Sequence, residues 1–219
     1  MGRRHGFTLI ELLVVISIMA LLIAILVPSL NHAREQSRRT ACATNLQQIG
    51  VGFRGYLNES SDRLPYASYM PSVGPAPLDA GSKPIYFADV MLPFLGKQAK
   101  VFECRSDTPG RTDRGVPNEG KSYFQSERSS YEYLGTKAIV RINDEMTLLM
   151  GKSTAEAASL LGRPRHPPHP GEPAHPAVKV PENTFYICRD YENFHGQGGK
   201  PGARRYLYTD GHVTDFENY

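Results

Sequence analysis

Tryptophan is absent from this chain of 219 residues, and cysteine occurs only three times, never as Cys-x-x-Cys. The missing pair motif argues against a zinc ribbon or a thioredoxin-type centre. Without Trp, the core must rest on 12 Tyr, 9 Phe and the aliphatic residues. An excess of charge is lacking too. A formal net charge of +3 is too balanced for a protein whose main work is gripping nucleic acid, so no nucleic-acid binding is expected. Hydrophobic residues at 40% and charged residues at 21% exclude a disordered polyelectrolyte. What is abundant is turn chemistry: 20 glycines and 17 prolines, above the usual share of about 12%. That excess excludes a compact helical bundle and points to a loop-rich, strand-containing body. The length suits one ordinary domain plus one long extra element.

One long hydrophobic run is present. It begins at Phe7, after Met1-Gly2-Arg3-Arg4-His5-Gly6, and continues to Val27 before Pro28. As a helix it rises about 31 Å, enough for the hydrocarbon core of a bilayer. A secretory signal peptide has a shorter apolar region and a small-x-small site, and nothing like Ala-x-Ala follows here. A buried core helix is disfavoured because the apolar face extends all round. A plain single-span anchor stays open on these grounds. Glu11 is the discriminating residue: a carboxylate inside a span costs about 2.5–3.5 kcal/mol and usually carries function. A cut between Gly6 and Phe7 would create a cationic amine on Phe7, one helical turn before Glu11. The helix N-terminus also favours an acid in its first turn.

Arg3-Arg4-His5-Gly6 followed by Phe7-Thr8-Leu9-Ile10-Glu11-Leu12-Leu13-Val14-Val15-Ile16 closely resembles the type IV prepilin and type II secretion pseudopilin signal. That signal has a short basic leader, Gly before the cut, Phe after it and Glu at the fifth mature position. Gly6, Phe7 and Glu11 fill those places, and Pro28 matches the helix-kinking proline of such stems. The resemblance implies cleavage after Gly6 by a prepilin peptidase and methylation of the Phe7 amine. It further implies extraction from membrane lipid into a fibre of pilin or pseudopilin subunits, by an inner-membrane assembly platform with its ATPase. Arg3 and Arg4 precede the span while Arg34, Arg38 and Arg39 follow it, so the charge rule for orientation is indecisive. The family's scheme makes the chain single-pass with its body outside the cytoplasm, then part of a fibre in the periplasm or at the cell surface. The alternative is a single-span, membrane-anchored extracytoplasmic binding protein that assembles into no fibre.

The expected organisation is a leader 1–6, a transmembrane part of a stem helix 7–27, an amphipathic part 28–58 and a loop-rich body 59–219. Pro28 lacks an amide hydrogen, which predicts a bend near Ile25–Pro28. Beyond it, Leu46, Ile49, Phe53 and Tyr56 recur at helical steps as a stripe for packing on the protein's own sheet. Gly50, Gly52 and Gly55 each weaken the helix by about 1 kcal/mol relative to Ala and permit close approach. Ile85–Leu95, broken at Pro93, reads as helix in preference to strand. Strands are expected at Lys100–Cys104, Ser130–Gly135, Met146–Gly151 and Thr184–Arg189. Arg205–Thr209 and His212–Phe216 flank Asp210-Gly211, a pair suited to a two-residue type I′ hairpin. The fold class is α+β, a long N-terminal helix packed on a mostly antiparallel sheet, which is also the pilin architecture.

The resemblance continues in the body. Arg38-Arg39-Thr40-Ala41-Cys42 with Asn45-Leu46, Val101-Phe102-Glu103-Cys104-Arg105-Ser106-Asp107, and Tyr208-Thr209-Asp210-Gly211-His212-Val213 are similar to a group of pseudopilin-like proteins. That group carries a His-x9-Asp-Gly motif near the C-terminus. Here the nearest upstream histidine, His195, is spaced further from Asp210 and Gly211, and Lys200 sits at the motif's His position. Cys42 and Cys104 both lie in segments matching the group, which favours a Cys42–Cys104 disulfide. Closing that loop would contribute about 4 kcal/mol in the chain-entropy model. Three reduced, buried cysteines are the alternative.

Other chemistry is weighed against blander readings. His166, His169, Glu172 and His175 recur every third residue in a Pro-rich stretch, so a polyproline II helix would line them along one edge about 9 Å apart. One ion needs ligands converging to about 2 Å, which makes a stiff surface loop or a subunit contact the better reading. Cys188, His195 and Asp210 form the one triad-like set, without hydrolase spacing; Cys188 in Phe185-Tyr186-Ile187-Cys188 suits a core. Asp210, Asp215 and Glu217 offer oxygens for calcium but lack EF-hand spacing. No catalytic residue and no cofactor is expected.

Overall fold

The computed structural model describes residues 8–68, 83–109, 120–136, 140–142, 145–147, 149–161, 185–191, 194–195 and 203–215. They belong to two compact units, Met1–Arg39 and Thr40–Tyr219. Helix α1 (Leu9–Glu59) starts in the first and ends in the second. It is unbroken at Pro28.

In the first unit, α1 carries its apolar side chains outward on all sides. Every residue from 8 to 34 is exposed, and the segment is long and apolar enough to cross a membrane.

In the second unit, the expected stripe is the core face of the helix. Cys42, Leu46, Ile49 and Phe53 are fully buried, at the three- and four-residue steps of one helical face. Gly50 lets this face come close to the sheet: a Cβ there would stand 2.8 Å from Leu207 Cδ1. Tyr56 meets Phe94 edge-on at 5.6 Å. The helix ends where Ser61 and Asp62 take left-handed backbone angles and the Asp62 amide returns to the Leu57 carbonyl at 2.9 Å.

The sheet is four-stranded in the order β1-β4-β5-β6, all pairs antiparallel. Its strands are β1 (Tyr131–Tyr133), β4 (Tyr186–Asp190), β5 (Tyr206–Tyr208) and β6 (Val213–Thr214). A separate pair joins β2 (Val140–Ile142) to β3 (Glu145–Thr147). With no Trp available, tyrosines fill the core: Tyr123, Tyr131, Tyr133, Tyr191 and Tyr208 are among its largest buried side chains. Tyr133 stacks on Phe87 at 4.3 Å and donates its hydroxyl to the Pro65 carbonyl at 3.0 Å, so a bulky ring is buried with its polar end satisfied. A buried ion pair joins the cross-strand partners Glu132 and Arg189.

The α+β architecture expected from the sequence is the one observed. Helix is present within 85–95 as α2 (Phe87–Met91), followed by a 3-10 segment Leu92–Leu95. Three local expectations change. Lys100–Cys104 is no strand, because Ala99–Phe102 is a 3-10 turn. Gly96 and Lys97 both have positive φ, and the Val101 and Glu103 amides bond back to Gln98 and Lys100, which uses donors a ladder would need. The expected strand Met146–Gly151 shortens to β3, since Met150 and Gly151 lie in a turn. The β5–β6 connection is not type I′, which needs positive φ at both central residues. Only Gly211 has it, at +89°, and the Gly211 amide bonds the Tyr208 carbonyl while the Tyr208 amide bonds that of His212. This is a three-residue loop with Gly in the left-handed position. Two short helices were not anticipated, α3 (Tyr123–Glu127) and α4 (Thr154–Leu161).

Candidate functional site

At the N-terminus, Thr8 and Glu11 form a reciprocal cap. Glu11 Oε2 accepts from the Thr8 amide and from the Thr8 hydroxyl, both at 2.8 Å, and the Glu11 amide donates to Thr8 Oγ1 at 3.2 Å. Two of the amides that a helix start leaves unpaired are thereby satisfied. Gly6 and Phe7, the expected processing residues, lie outside the described residues, as do His166, His169, Glu172, His175 and Glu217.

In the second unit, residues far apart in sequence meet beneath α1. The sulfurs of Cys42 and Cys104 and a ring nitrogen of His195 all lie within 4.8 Å of one another, and all three residues are buried. Cys104 Sγ is 3.6 Å from His195 Nε2. Asp190 Oδ2 is 3.8 Å from the same Nε2, and Ser106 Oγ is 3.5 Å from Nδ1. Cys42 and Cys104, the pair expected to form a disulfide, are free thiols in this structure, with the Cys104 thiol hydrogen-bonded to the Cys42 sulfur. That bond lowers the Cys42 thiol below its usual range and raises Cys104 above it. Burial pushes the Asp190 carboxyl up to about 7, with His195 opposing the shift.

The surroundings hold this cluster in place. Cys42 projects from α1, and one turn later Asn45 Nδ2 donates to the Glu103 carbonyl at 2.9 Å, tying the Cys104 segment to the helix. The Cys104 amide donates to Ser130 Oγ at 2.9 Å, and Ser130 Oγ donates to Asp107 Oδ2 at 2.7 Å. Asp107 also receives the amides of Tyr123 and Phe124 at the start of α3. The Asp190 carboxylate takes the Arg205 amide on Oδ2 at 2.8 Å, while its buried Oδ1 has no hydrogen-bond partner.

The remaining sequence candidates are dispersed. Cys188 is fully buried in β4, and burial pushes its thiol well up, the reverse of an activated nucleophile. Asp210 and Gly211 form the β5–β6 turn, where the Asp210 carbonyl accepts from Arg54 Nη1 at 3.2 Å. The Asp210 carboxylate takes the amide and ring Nδ1 of His212, and Asp215 pairs with Arg205, so both acids face protein donors. The sequence reading pairs Cys42 with Cys104 and names His195 apart from them; it does not include Asp190, whose place beside His195 no spacing rule encodes.

The long apolar N-terminal helix, the antiparallel sheet and the basic residues Arg3 and Arg4 ahead of Phe7 mark a type IV prepilin-like protein with an α+β, pilin-like fold. Residues 1–27 match the prokaryotic N-terminal methylation motif. Residues 31–140, half of the chain, match the family described as protein of unknown function (DUF1559), and the chain belongs to that family. Among curated proteins, the type IV major pilin protein PilA of Myxococcus xanthus (strain DK1622) is 33% identical over 75 residues, 34% of this chain and 33% of that protein. The chain thus spans about a third of the length of that relative. No solved structure matches.

Proposed function

We propose that this pilin-like chain is a fibre subunit, cut after Gly6 by a prepilin peptidase, methylated on Phe7, and assembled with like subunits into a type IV pilus or type II secretion pseudopilus. The observation that carries the reading is Gly6-Phe7-Thr8-Leu9-Ile10-Glu11 leading straight into a helix exposed on every side from residue 8 to 34. Apolar surface in water costs about 25 cal/mol per Å², so such a helix needs an apolar surround. A bilayer supplies it for the single subunit, and a bundle of neighbouring stems supplies it after assembly. In this reading residues 7–27 anchor the chain in the inner membrane, Pro28 sets a bend, and 59–219 form the extracytoplasmic body. An assembly platform and its ATPase draw the stem out of the lipid.

Glu11 has an assembly role in this scheme. Its Thr8 bonds use Oε2, and the methylated Phe7 amine of an incoming subunit keeps its charge and can approach the same carboxylate. Attraction in the low-dielectric stem bundle then sets axial register.

Mass spectrometry of the assembled protein tests the processing step. The expected mature N-terminus is N-methylated Phe7, and Gly6→Val retains the leader. Met1 at the N-terminus of assembled protein overturns the reading.

A further inference from the structure

The cluster beneath α1 has a geometry that neither a core nor a fibre contact requires. Three donor atoms from three distant segments converge, with a fourth alongside. Two are sulfurs, one is an imidazole nitrogen, and the neighbour is a carboxylate with an unpartnered buried oxygen. We propose that Cys42, Cys104 and His195 bind one divalent transition-metal ion of the zinc class, with Asp190 as the fourth donor.

Several observations point the same way. A tetrahedral ion at about 2.3 Å from sulfur and 2.0–2.1 Å from nitrogen places those two donors about 3.5 Å apart. Cys104 Sγ and His195 Nε2 are 3.6 Å apart, so that edge needs little rearrangement. The Nε2–Oδ2 separation of 3.8 Å closes to a ligand edge with a shift of about half an ångström. Metal-bound histidines generally hold their second nitrogen to an oxygen partner, and Ser106 Oγ stands 3.5 Å from Nδ1. The Cys104 segment is braced by Asn45 and Ser130, which fixes one thiol against the other.

Charge gives the physical motive. Two thiolates and a carboxylate in a fully buried site carry more negative charge than one imidazole offsets, and a buried uncompensated charge is costly. Without an ion, Asp190 Oδ1 stays unpaired among the described residues. A divalent cation offsets the charge of two thiolates and a carboxylate at once, in place of thiol protons. Thiolate with imidazole selects zinc-class ions over magnesium or calcium, which take oxygen ligands. Such a site would cross-link α1, the Cys104 segment and the end of β4.

The competing occupant of the same sulfurs is a Cys42–Cys104 disulfide, and one experiment separates the two. The full chain is purified in detergent, reduced, freed of reductant and titrated with Co(II), then with Zn(II). We expect a sulfur-to-cobalt charge-transfer band, abolished by one equivalent of Zn(II), and two thiols shielded from maleimide until a chelator is added. Cys42→Ser, Cys104→Ser and His195→Asn should each weaken binding more than tenfold, and Asp190→Asn should weaken it less. Cys188→Ser, which removes a thiol outside the cluster, should bind as the parent does. The proposal is overturned if the reduced parent protein gives no thiolate–cobalt band. Unchanged affinity in the Cys42, Cys104 and His195 variants overturns it equally. Because the first readout uses the unmutated chain, misfolding of a variant leaves the test intact. Leader processing is read separately, so failure here and failure of the fibre reading are distinguishable.

Discussion

Thr8 and Glu11 close the first turn of α1 on each other, side chain to amide in both directions. Two further helices begin the same way, with Ser122 and Gln125 at α3 and Ser153 and Glu156 at α4. The Thr8–Glu11 arrangement gives Glu11 a local task besides the proposed intersubunit one, and the two tasks ask for different chemistry. A cap needs an acceptor, which Gln supplies as well as Glu. An ion pair needs charge. Glu11→Gln should therefore insert and lose its leader normally yet enter fibres poorly, as should Glu11→Val. Fibre incorporation is measured by immunoblot of sheared fractions. Wild-type incorporation of Glu11→Gln alongside poor incorporation of Glu11→Val would assign Glu11 to capping alone.

Removing Arg189 should be costly. Its guanidinium lies over both the Tyr186 and Tyr206 rings and pairs with Glu132. Arg189→Ala leaves a buried carboxylate without its cation, a loss of about 3–5 kcal/mol. The urea midpoint of the detergent-solubilised chain reports it, and the double variant Glu132→Gln with Arg189→Ala should recover part of the loss.

Gly211 should not accept a side chain. Its φ of +89° is unfavourable for L-residues by about 1–2 kcal/mol. An added Cβ would also stand 3.1 Å from the Arg54 guanidinium. Gly211→Ala should lower the thermal midpoint by several degrees and release the Arg54 bond to the Asp210 carbonyl. A thermal midpoint equal to that of the parent would contradict the left-handed turn.

Acid should loosen the start of α4. The Ser153 amide bonded to Glu156 holds that carboxyl below its usual range. A lowered folded-state value means the stabilisation is present above the unfolded carboxylate range and is lost as pH falls through the folded one. The protection factor of the Ser153 amide, its exchange rate relative to the intrinsic rate at each pH, should fall on acidification. Glu156→Gln should flatten that response.

Much of this was legible in the residues. The stem helix, its core stripe at Leu46, Ile49, Phe53 and Tyr56, and the strands around Tyr131, Tyr186 and Tyr206 follow from hydrophobic period and length. Helix α4 was missed although Ser153-Thr154-Ala155-Glu156 has the spacing of a capping box, which a search for helix starts would find. The strand expected at Lys100–Cys104 failed because a short apolar run does not distinguish a ladder from a 3-10 turn, and the left-handed residues at Gly96 and Lys97 decided it. At the cluster, Cys42, Asn45, Cys104, Ser106 and Asp107 stood in the segments that carried the family resemblance. Their convergence with His195 and Asp190 is tertiary, and no local pattern encodes it.

Apolar side chains cover α1 on every side from Leu9 to Val27, and this has a consequence for azimuth. Turning such a cylinder about its own axis scarcely changes what it offers an apolar neighbour. Dispersion and solvent exclusion therefore fix how deep the rod sits, not which way it is rotated. The polar side chains that could break this symmetry are few: Thr8 is spent on Glu11, and the Ser17 hydroxyl folds back onto the Leu13 carbonyl at 2.8 Å. If such rods pack side by side as proposed, their rotational alignment would fall to a single carboxylate at one end, with the rest of the apolar length free to roll until that one contact locks.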